Sequence, residues 1–213
     1  MYLTTKNIKL GKNLLCVVMA LLLCMAMSSC NDSDLAEALK GTWLSDEMEF
    51  TESDGSKFVQ QTYYEFTKTD DVIDGGKFYE EVSGTFTAGD EGLVLTGTVV
   101  SRVTGTWDVT MGELYLTYDL SSLTVDVDDA SASLADDADE DAQWAFMDAQ
   151  ASGEFDKASL KKELRNMAYG DLKSQYQTEN DEDDPYSDLK VEDNVMSFKT
   201  SDIGVMKFRK ISD

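Results

Sequence analysis

The chain has 213 residues, with 42 acidic and 18 basic side chains, no histidine and a formal net charge of −24. So acidic a surface repels polyanions and sets nucleic-acid binding aside. Without histidine there is no Ser-His or Cys-His nucleophile pair, and without histidine or a cysteine pair in the expected mature chain there is no zinc site of the usual ligand types. A glycosidase-type carboxylate pair stays open, but any one pair is uninformative among so many acids, so we expect neither an enzyme nor a cofactor.

The first thirty residues read as an export signal. Lys6, Lys9 and Lys12 form a positive start, and an apolar run from Leu14 to Met27 follows. The small residues Ser28 and Ser29 then lead directly to Cys30. This is the order of a secretory signal peptide, and the run is shorter than the roughly 20 residues a transmembrane helix needs. Met27-Ser28-Ser29-Cys30 resembles a bacterial lipobox, although that pattern prefers leucine where Met27 stands. The resemblance implies cleavage before Cys30 and lipid attachment to its thiol. Cys16 and Cys24 fall in the discarded segment, so Cys30 remains alone and a disulfide within the chain is impossible. Loss of residues 1–29 also removes three lysines and no acid, taking the charge from −24 to −27.

Residues 30–40 are expected to form a lipidated tether, with one helical turn around Leu35 to Leu39. From Gly41 to Val127 the pattern is β: runs rich in Val, Thr, Tyr, Phe and Trp, separated by Gly/Asp turns. We predict strands at Gly41–Phe50, Phe58–Thr67, Lys77–Thr87, Leu93–Val100, Val103–Thr110, Glu113–Tyr118 and Leu123–Val127. The expected turns are Asp54-Gly55, Asp74-Gly75-Gly76, Gly89-Asp90-Glu91-Gly92 and Met111-Gly112. Phe78, Val82 and Phe86 share one face of their strand. Leu114 and Leu116 alternate with Glu113, Tyr115 and Thr117. Loops this short permit only antiparallel hairpins.

Asp128 to Gly153 changes character, with Asp128, Asp129, Asp136, Asp137, Asp139, Glu140 and Asp141 predicting a solvated acidic loop. Asp137-x-Asp139-x-Asp141 with Asp148 partly matches a calcium loop. Ala142 stands where the turn glycine is required and Asp148 where a longer glutamate is, so no metal site is expected. Asp156 then reads as the N-cap of a helix to about Gln177, with Leu160, Leu164, Met167, Leu172 and Tyr176 on one stripe. After a second acidic stretch and Pro185, two strands are expected at Leu189–Lys199 and Gly204–Ile211. The fold class is therefore mainly β: an antiparallel up-and-down barrel of eight or nine strands, with a helical insertion at about 132–179 before the final hairpin. A two-sheet sandwich has the same periodicity.

Gly41-Thr42-Trp43 opens the first strand and Phe208-Arg209-Lys210 closes the last, with a second Gly105-Thr106-Trp107 between them. This pattern resembles the lipocalin-like lipoproteins of Bacteroidetes over most of residues 41–211. The resemblance implies one barrel domain over 41–213, its floor closed by Arg209 packed across the Trp43 indole. It also implies an outer-membrane, lipid-anchored protein, and Asp32 and Asp34 after the cysteine resemble a surface-export signal. The helical segment departs from the family, in which the helix follows the eighth strand.

Two functions follow. The first is a carrier of a small hydrophobic or amphipathic ligand, with Tyr64, Phe66, Trp107 and Tyr115 as the candidate lining. The second is a non-enzymatic surface subunit, with a filled barrel and an outward aromatic patch suited to glycans. An interior cavity of roughly 300 Å³ or more separates the two.

Overall fold

The computed structural model describes residues 32–51, 57–90, 92–135, 138–182, 185–200 and 204–212. The signal segment, Cys30, Asp54-Gly55, Asp136 and Asp137 lie outside them. In chain order a short helix α1 (32–39) leads into β1 (Gly41–Ser45), β2 (Met48–Thr51), β3 (Lys57–Lys68), β4 (Gly75–Asp90), β5 (Leu93–Thr110) and β6 (Glu113–Leu134). Two helices follow, α2 (Glu140–Ser152) and α3 (Lys157–Glu182), then β7 (Ser187–Glu192), β8 (Val195–Thr200) and β9 (Gly204–Ser212).

All nine strands belong to one antiparallel sheet in the order β6-β5-β4-β3-β1-β9-β8-β7, with β2 extending β1 along β3. Strands β3 to β6 and β7 to β9 are each neighbours in chain order, and the last strand pairs with the first. The two ends of this path, β6 and β7, form no ladder, so the sheet is not closed. A single bridge spans them: Leu114 and Tyr186 exchange backbone hydrogen bonds of 3.1 and 2.8 Å. Farther along β6, Asn180 of α3 takes the place of a strand partner. Its Oδ1 accepts from the Tyr118 N–H at 2.8 Å and its Nδ2 donates to the Tyr118 carbonyl at 2.9 Å. The helix thus satisfies backbone groups that an open sheet edge would leave exposed.

One end of the concave face is packed solid. Leu39, Trp43, Phe66, Phe78, Trp107, Leu114, Phe198 and Phe208 are buried there. Edge-on contacts such as Phe66 on Trp107, with centroids 5.7 Å apart, tie the strands together. Strand β5 approaches β4 through two glycines: Phe78 lies opposite Gly105, and Phe86 opposite Gly97. A Cβ at Gly105 would sit 2.5 Å from the Phe78 ring, so each aromatic occupies space that its glycine leaves open.

The structure revises several boundaries. The predicted break between Val100 and Val103 is no turn; β5 runs through it with a register shift between Arg102 and Thr104. The predicted gap at Asp119–Ser122 is the facing half of the same irregularity, where Ser122 Oγ accepts from the Thr104 N–H at 2.9 Å. Polar residues there serve a bulge, which bends a strand without ending it. Conversely, the predicted strand 189–199 is two strands. Asp193 and Asn194 both adopt positive φ, 50° and 62°, and make a two-residue hairpin turn. The first predicted strand also divides, at Asp46-Glu47. Beside the break Ser45 replaces ladder contacts, its Oγ accepting from the Thr62 N–H at 2.8 Å.

Among the described residues, most of the acidic segment from Asp128 is strand or helix, not a loop. Asp128 and Asp129 continue β6, and Asp139 caps α2 by accepting from the Ala142 N–H at 2.8 Å. Asp156 caps α3 as expected, with bonds of 2.8 and 3.0 Å to the Ala158 and Ser159 N–H groups. On α3, Leu160, Leu164 and Tyr176 are buried, whereas Met167 is exposed. Nor are residues 32–40 a free tether, because α1 is packed into the core through Ala36 and Leu39. Asp32 at its start accepts from the N–H groups of Met111 and Gly112 at 2.9 and 2.8 Å, gripping the β5–β6 turn.

Candidate functional site

The packed end holds Trp43, wholly buried on β1, whose Nε1 donates to the Leu39 carbonyl at 2.7 Å. That bond satisfies one of the carbonyls which the end of α1 leaves without a helical partner. The cation over the indole is Lys210, 5.5 Å from the ring centroid and directly opposite Trp43 in the β1–β9 register. Arg209, the residue that the resemblance placed there, projects to the other side and reaches Asp46 at 3.4 Å. Strand parity is the reason: Met206 and Phe208 face inward, so position 210 follows them and position 209 does not.

The other expected residues separate. Tyr64 lines an interior cavity. Phe66 and Trp107 belong to the packed end, where Trp107 Nε1 donates to the Lys77 carbonyl at 3.0 Å. Tyr115 lies on the opposite face of β6 from Leu114 and Leu116, with its hydroxyl 3.4 Å from Glu113.

Away from the packed end, α3 crosses the concave face and leaves a cavity of about 520 Å³ against β3, β4 and β6. It adjoins a second space of about 360 Å³, walled by Phe86, Leu95 and Val99 of the sheet and by Leu164 and Met167 of α3. The two share Gln60, Val82, Leu172 and Gln175. A wider hollow of about 960 Å³ lies at the opposite end, beside α1 and the β3–β4 turn. Its rim includes Glu37, which is ion-paired with Lys40 and Lys68, and it is open to solvent.

At the polar end of the interior cavity is Glu80, buried on β4. Tyr176 of α3 donates to its Oε1 at 2.6 Å, Tyr118 of β6 lies 3.3 Å from its Oε2, and Tyr64 stands directly opposite it in the β3–β4 register. The chain of contacts continues from the Tyr118 hydroxyl to that of Tyr186 at 3.1 Å, and from Tyr186 to Glu179 at 2.9 Å. The Tyr118 and Tyr176 rings stack with centroids 4.3 Å apart. Burial raises the Glu80 carboxyl above its ordinary value, against the lowering effect of the tyrosine hydrogen bonds. Burial first, and then the charge of Glu80, push the hydroxyls of Tyr64, Tyr118 and Tyr176 up as well.

Glu80, Tyr118, Tyr176, Tyr186 and Glu179 were not among the expected site residues, yet the signal was present. Glu80 has the parity of Phe78 and Val82, an acid in an otherwise apolar row, and Tyr118 has the parity of Leu114 and Leu116. Among the described residues no group of three or more metal-ligating side chains is assembled. Of the calcium-like run, Asp139 is committed to its helix cap. No helix among the described residues is long and apolar enough to cross a membrane. Comparison with protein-family models finds no match, and comparison with curated proteins finds none either.

Proposed function

We propose that the protein is an exported lipoprotein, anchored through lipid on Cys30, that carries a small hydrophobic or amphipathic molecule inside a lipocalin-like barrel. The cavity of about 520 Å³ carries this reading, because it falls within the size range of small-molecule sites and adjoins an apolar space. It weighs against the surface-subunit alternative, which requires a filled interior. Consecutive strand order, the pairing of β9 with β1 and the Leu114–Tyr186 bridge support the barrel reading. The lipobox-like Met27-Ser28-Ser29-Cys30 supports outer-membrane anchoring, with surface display suggested by Asp32 and Asp34.

The test is extraction and native mass spectrometry of the protein purified from its membrane. An apolar molecule leaving at one per chain is the expected result. A protein that carries nothing, and binds no lipid-like probe, would end the carrier reading. Replacing Cys30 by Ala should abolish palmitate labelling and release the protein from the membrane fraction; retention of both would end the anchor reading.

A further inference from the structure

We infer that the ligand is an amphiphilic cation, its ammonium head at Glu80 and its apolar chain in the space beside Phe86 and Met167. This rests on the carrier reading and assigns the ligand's charge.

The argument is one of donors and acceptors. Among the described residues lining the cavity there is no lysine or arginine. Two carboxyl groups, Glu80 and Glu179, stand at its polar end. Three of the four phenols already have their one proton engaged. Tyr176 bonds Glu80, Tyr186 bonds Glu179, and Tyr118 has Glu80 and Tyr186 to choose between. Gln175 also directs its amide to Glu179, at 3.0 Å. What faces the cavity from these groups is therefore lone pairs. A carboxylate or phosphate head would meet repulsion from Glu80 and no cation. An ammonium would meet acceptors and would neutralise a carboxyl that burial otherwise penalises. The strongly acidic chain adds a long-range field of the same sign preference. The adjoining space supplies the apolar complement: Leu95, Val99, Leu164 and Met167, with the flexible thioether half exposed at its rim.

The experiment is calorimetric titration of the full domain with three probes of equal chain length, below their micelle concentrations: dodecyltrimethylammonium, dodecanoate and dodecanol. The cation should bind at one site, at least tenfold tighter than either of the others, and should still bind in 0.5 M salt. There, attraction to the exposed acidic surface is screened away. Glu80→Gln should weaken the cation at least tenfold and leave dodecanol unchanged. Should that variant fail to fold by circular dichroism, Glu179→Gln tests the same prediction from the rim. Equal binding of all three probes would overturn the charge assignment and leave a carrier standing. So would loss of the cation at high salt. Binding of none would remove the carrier reading itself.

Discussion

Tyr176 Oη lies 2.6 Å from Glu80 Oε1, a hydrogen bond that fastens α3 to β4 across 96 residues of chain. A bond from a neutral donor to a charged acceptor contributes about 1.5–3 kcal/mol. Tyr176→Phe keeps the stack on Tyr118 and removes only the donor, so it should lose that amount in urea unfolding. Combined with Glu80→Gln, the two losses should fall short of additivity by about 0.5–3 kcal/mol. Strict additivity would show that the two groups act independently.

The same carboxyl sets a pH dependence. Glu80 faces Tyr64 on β3, Tyr118 on β6 and Tyr176 and Glu179 on α3, and burial raises its carboxyl above the ordinary 4.5. A raised acid holds its proton more tightly folded than unfolded. Its contribution is therefore full below the ordinary value and is lost as pH rises toward the folded one. Exposed acids held low by hydrogen bonds and ion pairs, such as Asp156 and Asp129, act in the opposite sense, so the native profile alone is a sum. The difference isolates Glu80. The melting temperature of the native protein minus that of Glu80→Gln should fall as pH rises from 4 to 8. A difference that stays flat or rises would contradict the burial of a titrating carboxyl.

At the packed end, Trp43→Ala should cost about 3–5 kcal/mol, since it removes a wholly buried indole and its bond to Leu39. Lys210→Met should cost about 0.5–1 kcal/mol, the value of a partly exposed cation over a ring. Arg209→Ala should stay within about 0.5 kcal/mol, because its partner Asp46 is a surface carboxylate. Thermal unfolding of the three variants gives the ranking, and a larger loss at 209 than at 210 would put Arg209, not Lys210, over the indole.

Gly105→Ala should destabilise by about 1–3 kcal/mol. The new methyl would overlap the Thr117 carbonyl oxygen and press on the Phe78 ring, at 2.5 Å. Adding Phe78→Leu should recover part of the loss by freeing the ring's space. A Gly105→Ala protein as stable as the native one would mean that β4 and β5 are farther apart there.

Period-two alternation made most of the strands legible, because burial on one face dictates it. Helix α3 was legible from its cap at Asp156 and its stripe of Leu160, Leu164 and Tyr176. Irregular backbone was not legible. Ser101-Arg102 and Asp119-Leu120-Ser121-Ser122 have turn-like composition but lie in a bulge, whereas Asp193-Asn194 is a true turn without glycine. The site was hidden for a related reason. A carboxyl on an inward row is intelligible only when its donors are known, and those of Glu80 come from residues 118 and 176. Nothing local to β4 announces them. Trp43 could be placed from its motif, but choosing between Arg209 and Lys210 required the parity of β9.

Asp32 has a consequence for how the molecule stands. Its carboxylate grips the β5–β6 turn, and only Asn31 separates it from Cys30. Two residues of extended chain reach about 7 Å. Under the proposed anchoring, the aromatic floor would rest almost on the bilayer, with little slack to tumble. The cavity lies along the strands beyond that floor, so a ligand held in it would sit off the bilayer surface.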